Sequence, residues 1–190
     1  MAFGLNPQPM TRSFAPLLLI VFYCCPCFGQ QGVDTRIPNH HLRFQLPNDK
    51  WAASDGTDST QGVYFFKRQP VVDSHGRSII PAIMLFIEDA QKYDNDIVVF
   101  SVDKRAPFTE KGVKIDQTLF PSDKGYPLIS QSAIFMKTSY TMDSLPHILY
   151  MIHMIDSHKQ AIQFYLDMTA DLGDAYEQEL LTTIRSFRED

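Results

Sequence analysis

The 190-residue chain has 17 basic and 22 acidic side chains, a net charge of −5. That sign excludes a general nucleic-acid surface, which needs a positive field to recruit phosphates. All three cysteines, Cys24, Cys25 and Cys27, fall near the amino end. The remainder can therefore contain no disulfide, thiolate metal site or cysteine nucleophile.

From Met10 the sequence reads as an export signal. Thr11-Arg12-Ser13 supplies one positive charge, and the apolar run Leu17 to Cys25 follows. The run has the length of a signal-peptide core and is too short to span a bilayer. Cys27-Phe28-Gly29 places small residues three and one positions before Gln30, so cleavage is expected after residue 29, with Met10 as an alternative start. A lipoprotein anchor fits less well, because Tyr23, Cys24 and Pro26 stand where a small residue should precede the acylated cysteine. The expected product is secreted or periplasmic, has no disulfide, and carries no further membrane span.

Residues 30–40 read as a flexible polar leader, and residues 41–190 as one globular domain. His41 to Leu46 alternates as a half-buried strand, and Pro47 to Lys50 ends it before Trp51, which reads as a core anchor. Residues 52–62 form a small-polar loop, followed by the aromatic strand Val63 to Arg68. Val72 to Arg77 holds turn residues, with Gly76 suited to a positive φ. The apolar run Ile79 to Ile87 is a further strand with Pro81 near its start. Residues 94–105 admit two readings. Asp94-Asn95-Asp96 is a helix start signal, whereas Ile97-Val98-Val99-Phe100 is β-type; helix is preferred. Strands are expected over Lys111 to Phe120 and Leu128 to Tyr140, with a turn at Pro121 to Gly125 between them.

Ile148 to Ile155 and Ala161 to Met168 form a hairpin across Asp156 to Lys159. A two-residue turn at Ser157-His158 would oppose His153 to Ile162, Met151 to Phe164 and Leu149 to Leu166. Tyr150, Ile152, Gln163, Tyr165 and Asp167 would then share the other face. Last comes a helix from Leu172-Gly173-Asp174, with Asp174 and Glu177 as a capping box. Tyr176, Leu180, Ile184 and Phe187 form its buried stripe. Strands with a middle and a terminal helix indicate an α+β domain, an antiparallel sheet with helices packed on it.

Phe44-x-Leu46-Pro47 followed by Trp51, a long central meander, and a closing strand–Gly173-Asp174–helix ending in Ile184-x-Ser186-Phe187 resemble the PsbP-like family. That family includes the PsbP extrinsic subunit of photosystem II, a yeast Ran-binding nuclear-import protein and exported bacterial members. The resemblance spans nearly the whole mature chain and implies an α/β/α sandwich around an antiparallel sheet. It carries over no functional residue, since the family shares no catalytic site.

Few constellations suggest chemistry. His147 and His153 share a face but stand six residues apart, roughly 20 Å along a strand, too far for one ion. His158 sits at the turn, and His40-His41 is an adjacent pair beside the leader. Glu88-Asp89 has no carboxylate one helical turn on, Asp94 to Asp96 lacks the spacing of a calcium loop, and no nucleophile elbow or glycine-rich phosphate loop occurs. No cofactor and no metal site is expected. The one candidate binding face is Tyr150, Gln163, Tyr165 and Asp167, aromatic surface combined with hydrogen-bonding groups. The plainer reading, that the terminal helix covers this face and its tyrosines are core, is preferred. These features point to an exported non-enzymatic accessory domain that binds a protein partner in the cell envelope. The alternatives are a small-molecule or lipid carrier with a pocket between sheet and helix, and a hydrolase with a dispersed site.

Overall fold

A computed structural model describes residues 32–189. The export signal, its three cysteines and the side chain of Asp174 lie outside the described residues. Residues 33–37, read from sequence as part of a polar leader, instead form a strand. β1 (Val33–Ile37) pairs antiparallel with β2 (Leu42–Leu46), and Ile37 enters the core. Its backbone hydrogen bonds, which composition does not reveal, hold an otherwise polar sequence in place.

β3 (Trp51–Ala53) and β4 (Val63–Arg68) follow, then the short pair β5 (Val71–Val72) and β6 (Ser78–Ile79) around a turn with Gly76 at φ 78°. β7 (Ala82–Asp89) begins immediately after Pro81, where a missing N–H costs no ladder bond. The ambiguous segment is helical: α1 (Ile97–Glu110) starts at Asp96, whose carboxylate accepts from the backbone N–H groups of Val98 and Val99 at 2.7 and 3.2 Å. The cap satisfies two orphan donors of the first turn, and burial of Phe100 and Ser101 holds a β-branched run in helix. β8 (Lys114–Leu119), β9 (Ala133–Met142), β10 (Leu145–Ile155) and β11 (Gln160–Thr169) complete the large sheet. α2 (Gly173–Ser186) and β12 (Arg188–Glu189) end the described chain.

The large sheet has seven strands in the order β3-β4-β7-β11-β10-β9-β8, every pairing antiparallel. α1 packs on one face. The other face carries α2 together with a three-stranded sheet, β1-β2-β12. This second layer holds the main core. Leu180, Ile184 and Phe187 meet Phe44, Phe164 and Ile152, with Phe44 edge-on to both Phe66 and Phe164. Trp51 anchors the same layer, its indole N–H donating to Glu179 of α2 at 3.3 Å. The Ser186 hydroxyl accepts from the backbone N–H of Gln45 at 2.7 Å, tying the end of α2 to β2.

The β10–β11 hairpin stands where the sequence puts it, but its register differs by one residue. His153 opposes Gln163, Met151 opposes Tyr165 and Leu149 opposes Asp167. The chain turns through three residues, Ser157 to Lys159, with Lys159 left-handed at φ 61°. Asp156 donates its N–H to the Gln160 carbonyl at 3.1 Å, and its carboxylate accepts from the N–H groups of His158 and Gln160. Because side chains alternate with period two, this slip moves one strand's set to the opposite face. The expected capping box rests on the Asp174 side chain, which lies outside the described residues; α2 starts at Gly173, with Leu172 at its cap, and Glu177 bonds Tyr150 and Lys137.

Candidate functional site

The register change divides the expected binding face. Tyr150 lies with Leu166 and Ile152 beneath α2, its hydroxyl donating to Glu177 at 2.5 Å. Gln163, Tyr165 and Asp167 lie on the α1 side. Both tyrosines are core, as the plainer reading holds, but two different helices cover them.

Gln163 and Tyr165 belong to a polar chain between α1 and the sheet. The Ser101 hydroxyl lies 3.0 Å from His153 Nδ1, and His153 Nε2 lies 3.3 Å from the Tyr165 hydroxyl. Tyr165 donates to Gln163 Oε1 at 2.7 Å, and Gln163 donates to Glu88 at 3.0 Å. Glu88 also receives Lys104 at 2.9 Å and the Tyr93 hydroxyl at 2.8 Å. Burial holds His153 neutral, its pKa lowered to about 3 with help from the positive charges of Arg105 and Lys104. The chain pairs each polar group it buries, so it fastens α1 and leaves no reactive atom unsatisfied.

Asp167 belongs elsewhere. Near the hairpin end of β9 and β10, His147 stands directly across from Tyr140, and Asp167 is one diagonal step away on β11. Asp167 Oδ1 accepts from the Tyr140 hydroxyl at 2.9 Å and lies 3.2 Å from His147 Nδ1. A carboxylate only accepts, so the Nδ1 that faces it carries a proton. Nε2 has no hydrogen-bond partner among the described residues. Burial first, and the Asp167 charge second, push the Tyr140 hydroxyl pKa upward, keeping it a neutral donor. His147 and Tyr140 line an open groove of about 550 Å³ that runs to Lys111 and Gly112 at the end of α1.

The groove offers an oriented imidazole and a phenol, and Ser139 and Thr141 of β9 line it as well. His147 was visible in the sequence only as one of several scattered histidines. The true register is what joins it to Asp167. His153 takes no part, being sealed beneath α1.

A second cluster, unmarked in the sequence, brings ligand atoms of Asp73, His75 and Asp171 within 4.8 Å of one another. Asp73 is already committed. Arg77 Nε bonds its Oδ2 at 2.5 Å, and the N–H groups of His75 and Arg77 bond its Oδ1. Any cation there would have to displace a guanidinium, so the cluster reads as the organiser of the β5–β6 turn. Likewise His41 stacks on His158 at 4.4 Å and His40 meets Gln160, which makes these histidines packing elements of the hairpin turn.

No protein-family model matches the chain, and no curated protein matches it by sequence. Solved structures do. The Ran-binding protein Mog1p of Saccharomyces cerevisiae superposes with a TM-score of 0.56 at 6% identity, over 84% of this chain and 96% of its own. Cyanobacterial PsbP (CyanoP) of Synechocystis sp. PCC 6803 gives 0.51 at 11% identity, over 87% and 97%. The chain has the PsbP/Mog1-like fold. Within that fold the groove at Tyr140, His147 and Asp167 occupies the end of the central hairpin, and no described helix is long and apolar enough to cross a membrane.

Proposed function

We propose that the protein is an exported, non-enzymatic accessory domain that binds a partner protein through the groove at Tyr140, His147 and Asp167. The observation that carries this reading is the fixed His147–Asp167 pair, which presents an imidazole nitrogen beside an open groove. An open groove with oriented donors and acceptors suits a protruding segment of another protein. The fold agrees with this use, since Mog1p is a Ran-binding protein. For the carrier alternative, the space beneath the middle of α2, lined by Ile152, Phe164 and Ile184, amounts to about 10 Å³, no more than a single water could fill, and the larger opening lies at the edge of α2 beside β8 and β9.

The test is a photo-crosslinking residue placed at Thr141 in the full-length protein in its native cell. One dominant crosslinked protein is expected, and it should be lost when His147→Ala is added. Crosslinks that are diffuse, or unaffected by His147→Ala, would overturn the reading. Export is tested separately. The mature amino terminus should be Gln30 in the extracytoplasmic fraction, and an unprocessed protein in the cytoplasm would refute it.

A further inference from the structure

On the other side of the sheet, a cleft of about 170 Å³ opens between α2 and the β8–β9 edge. Three cationic side chains line it: Lys124 from the loop after β8, Lys137 from β9, and Arg185 from the last turn of α2. One carboxylate faces them, that of Glu177, and it is already engaged. Its Oε1 accepts from Lys137 Nζ at 2.7 Å and from the buried Tyr150 hydroxyl at 2.5 Å. Those bonds, the one from Lys137 first, hold the Glu177 pKa below the usual carboxylate range, so it stays ionised and neutralises Lys137. Lys124 and Arg185 have no carboxylate partner among the described residues. A protein of net charge −5 thus concentrates a surplus of two positive charges in one small cleft.

Apart from Gln117, the side chains that complete the lining are apolar, with Leu119, Phe135 and Leu181 beside the Tyr150 ring. Phe135 and Tyr150 lie 5.9 Å apart and Lys137 stands 5.5 Å over the tyrosine ring, so this wall is fixed by packing and by a cation–π contact. Charge at the rim with an apolar floor selects for an amphiphilic anion. A cavity of about 150 Å³ takes up benzene, so the space here suits a ring-sized or branched body. We propose that this cleft is a binding site for a small organic carboxylate, its carboxylate held between Arg185 and Lys124 and its apolar body against Leu119, Phe135 and Leu181. Arg185 supplies the planar fork that matches a carboxylate. Lys137 and Tyr150, locked by Glu177, shape the floor. The site is separate from the groove at His147 and does not depend on that groove's partner.

The experiment is NMR titration of the mature protein with benzoate, with benzyl alcohol and inorganic phosphate as parallel probes. Benzoate is expected to saturate with a Kd at or below the millimolar range and to shift resonances of Leu119, Leu181 and Tyr150. The double variant Lys124→Gln/Arg185→Gln changes only exposed side chains and should weaken binding at least tenfold, whereas Lys111→Gln in the opposite groove should leave it unchanged. Benzyl alcohol should bind at least tenfold more weakly than benzoate. Absence of saturable benzoate shifts, equal binding by benzyl alcohol, or equal competition by phosphate would each overturn the proposal. Matching thermal midpoints for the variants and the parent separate loss of binding from loss of fold.

Discussion

The imidazole of His153 in β10 is bound to the hydroxyl of Ser101 in α1, Nδ1 to Oγ 3.0 Å apart, with both residues buried. This contact makes α1 sensitive to acid. Burial, then Arg105 and Lys104, lower the His153 pKa to about 3, whereas in the unfolded chain it stays near 6.5. Above pH 6.5 both states are neutral and the residue adds no pH dependence. As pH falls below 6.5 the unfolded chain takes up a proton that the folded chain refuses, so stability is lost progressively down to about pH 3. At about 1.4 kcal/mol per pH unit, the native protein should lose about 2 kcal/mol more than His153→Gln between pH 6.5 and 4.5. Urea denaturation at several pH values measures it, and parallel curves would show that His153 is not held neutral.

The Glu88 carboxylate joins α1 to the sheet through Lys104, and burial alone would raise its pKa. Bonds from Lys104 and Tyr93 outweigh that and hold it below the usual range. Both side chains retain some solvent access, which screens the pair. A double-mutant cycle of Glu88→Gln and Lys104→Met should therefore give a coupling of roughly 0.5–1 kcal/mol that shrinks at high salt.

Two glycines with similar backbone angles should respond unequally to alanine. Gly62, at φ 67°, lies so close to β7 that a Cβ would stand 2.3 Å from the Ile87 carbonyl oxygen. Gly76, at φ 78°, has open space around it. Gly76→Ala should cost about 1 kcal/mol, the left-handed penalty alone. Gly62→Ala should cost about 3 kcal/mol or more, because the strand backbone must move. Thermal denaturation of the two variants distinguishes the outcomes.

Leu180 is fully buried on the α2 stripe against the Phe44 layer. Leu180→Ala should destabilise by about 2–5 kcal/mol, and Leu181→Ala, at the rim of the cationic cleft, by less. Equal losses would mean that α2 is not seated as described.

Much of the architecture was legible because it follows from patterning. The bounds of β4 follow from an aromatic run between turn residues, and the start of α1 from the capping carboxylate of Asp96, which decides a segment that composition leaves open. The site was less legible for one local reason. The hairpin loop places Lys159 in the left-handed region, a conformation that glycine or asparagine would have announced and lysine does not. One hidden turn residue shifts the pairing, sends Tyr150 to α2 and leaves Asp167 with His147. β1 was missed because its stability comes from pairing with β2 rather than from its own apolar content.

The small sheet β1-β2-β12 has a consequence for the order of events in the chain's life. β2 needs β12 at its side, and Gln45 needs the Ser186 hydroxyl, 141 positions away. Closing so long a loop is costly until the contacts that reward it exist. A ribosome or a pore that delivers the polypeptide from its amino end must therefore handle an unfinished layer until residues 186–189 emerge. The tail acts as a latch, and completion of the fold reports that the whole strand-to-helix segment has arrived.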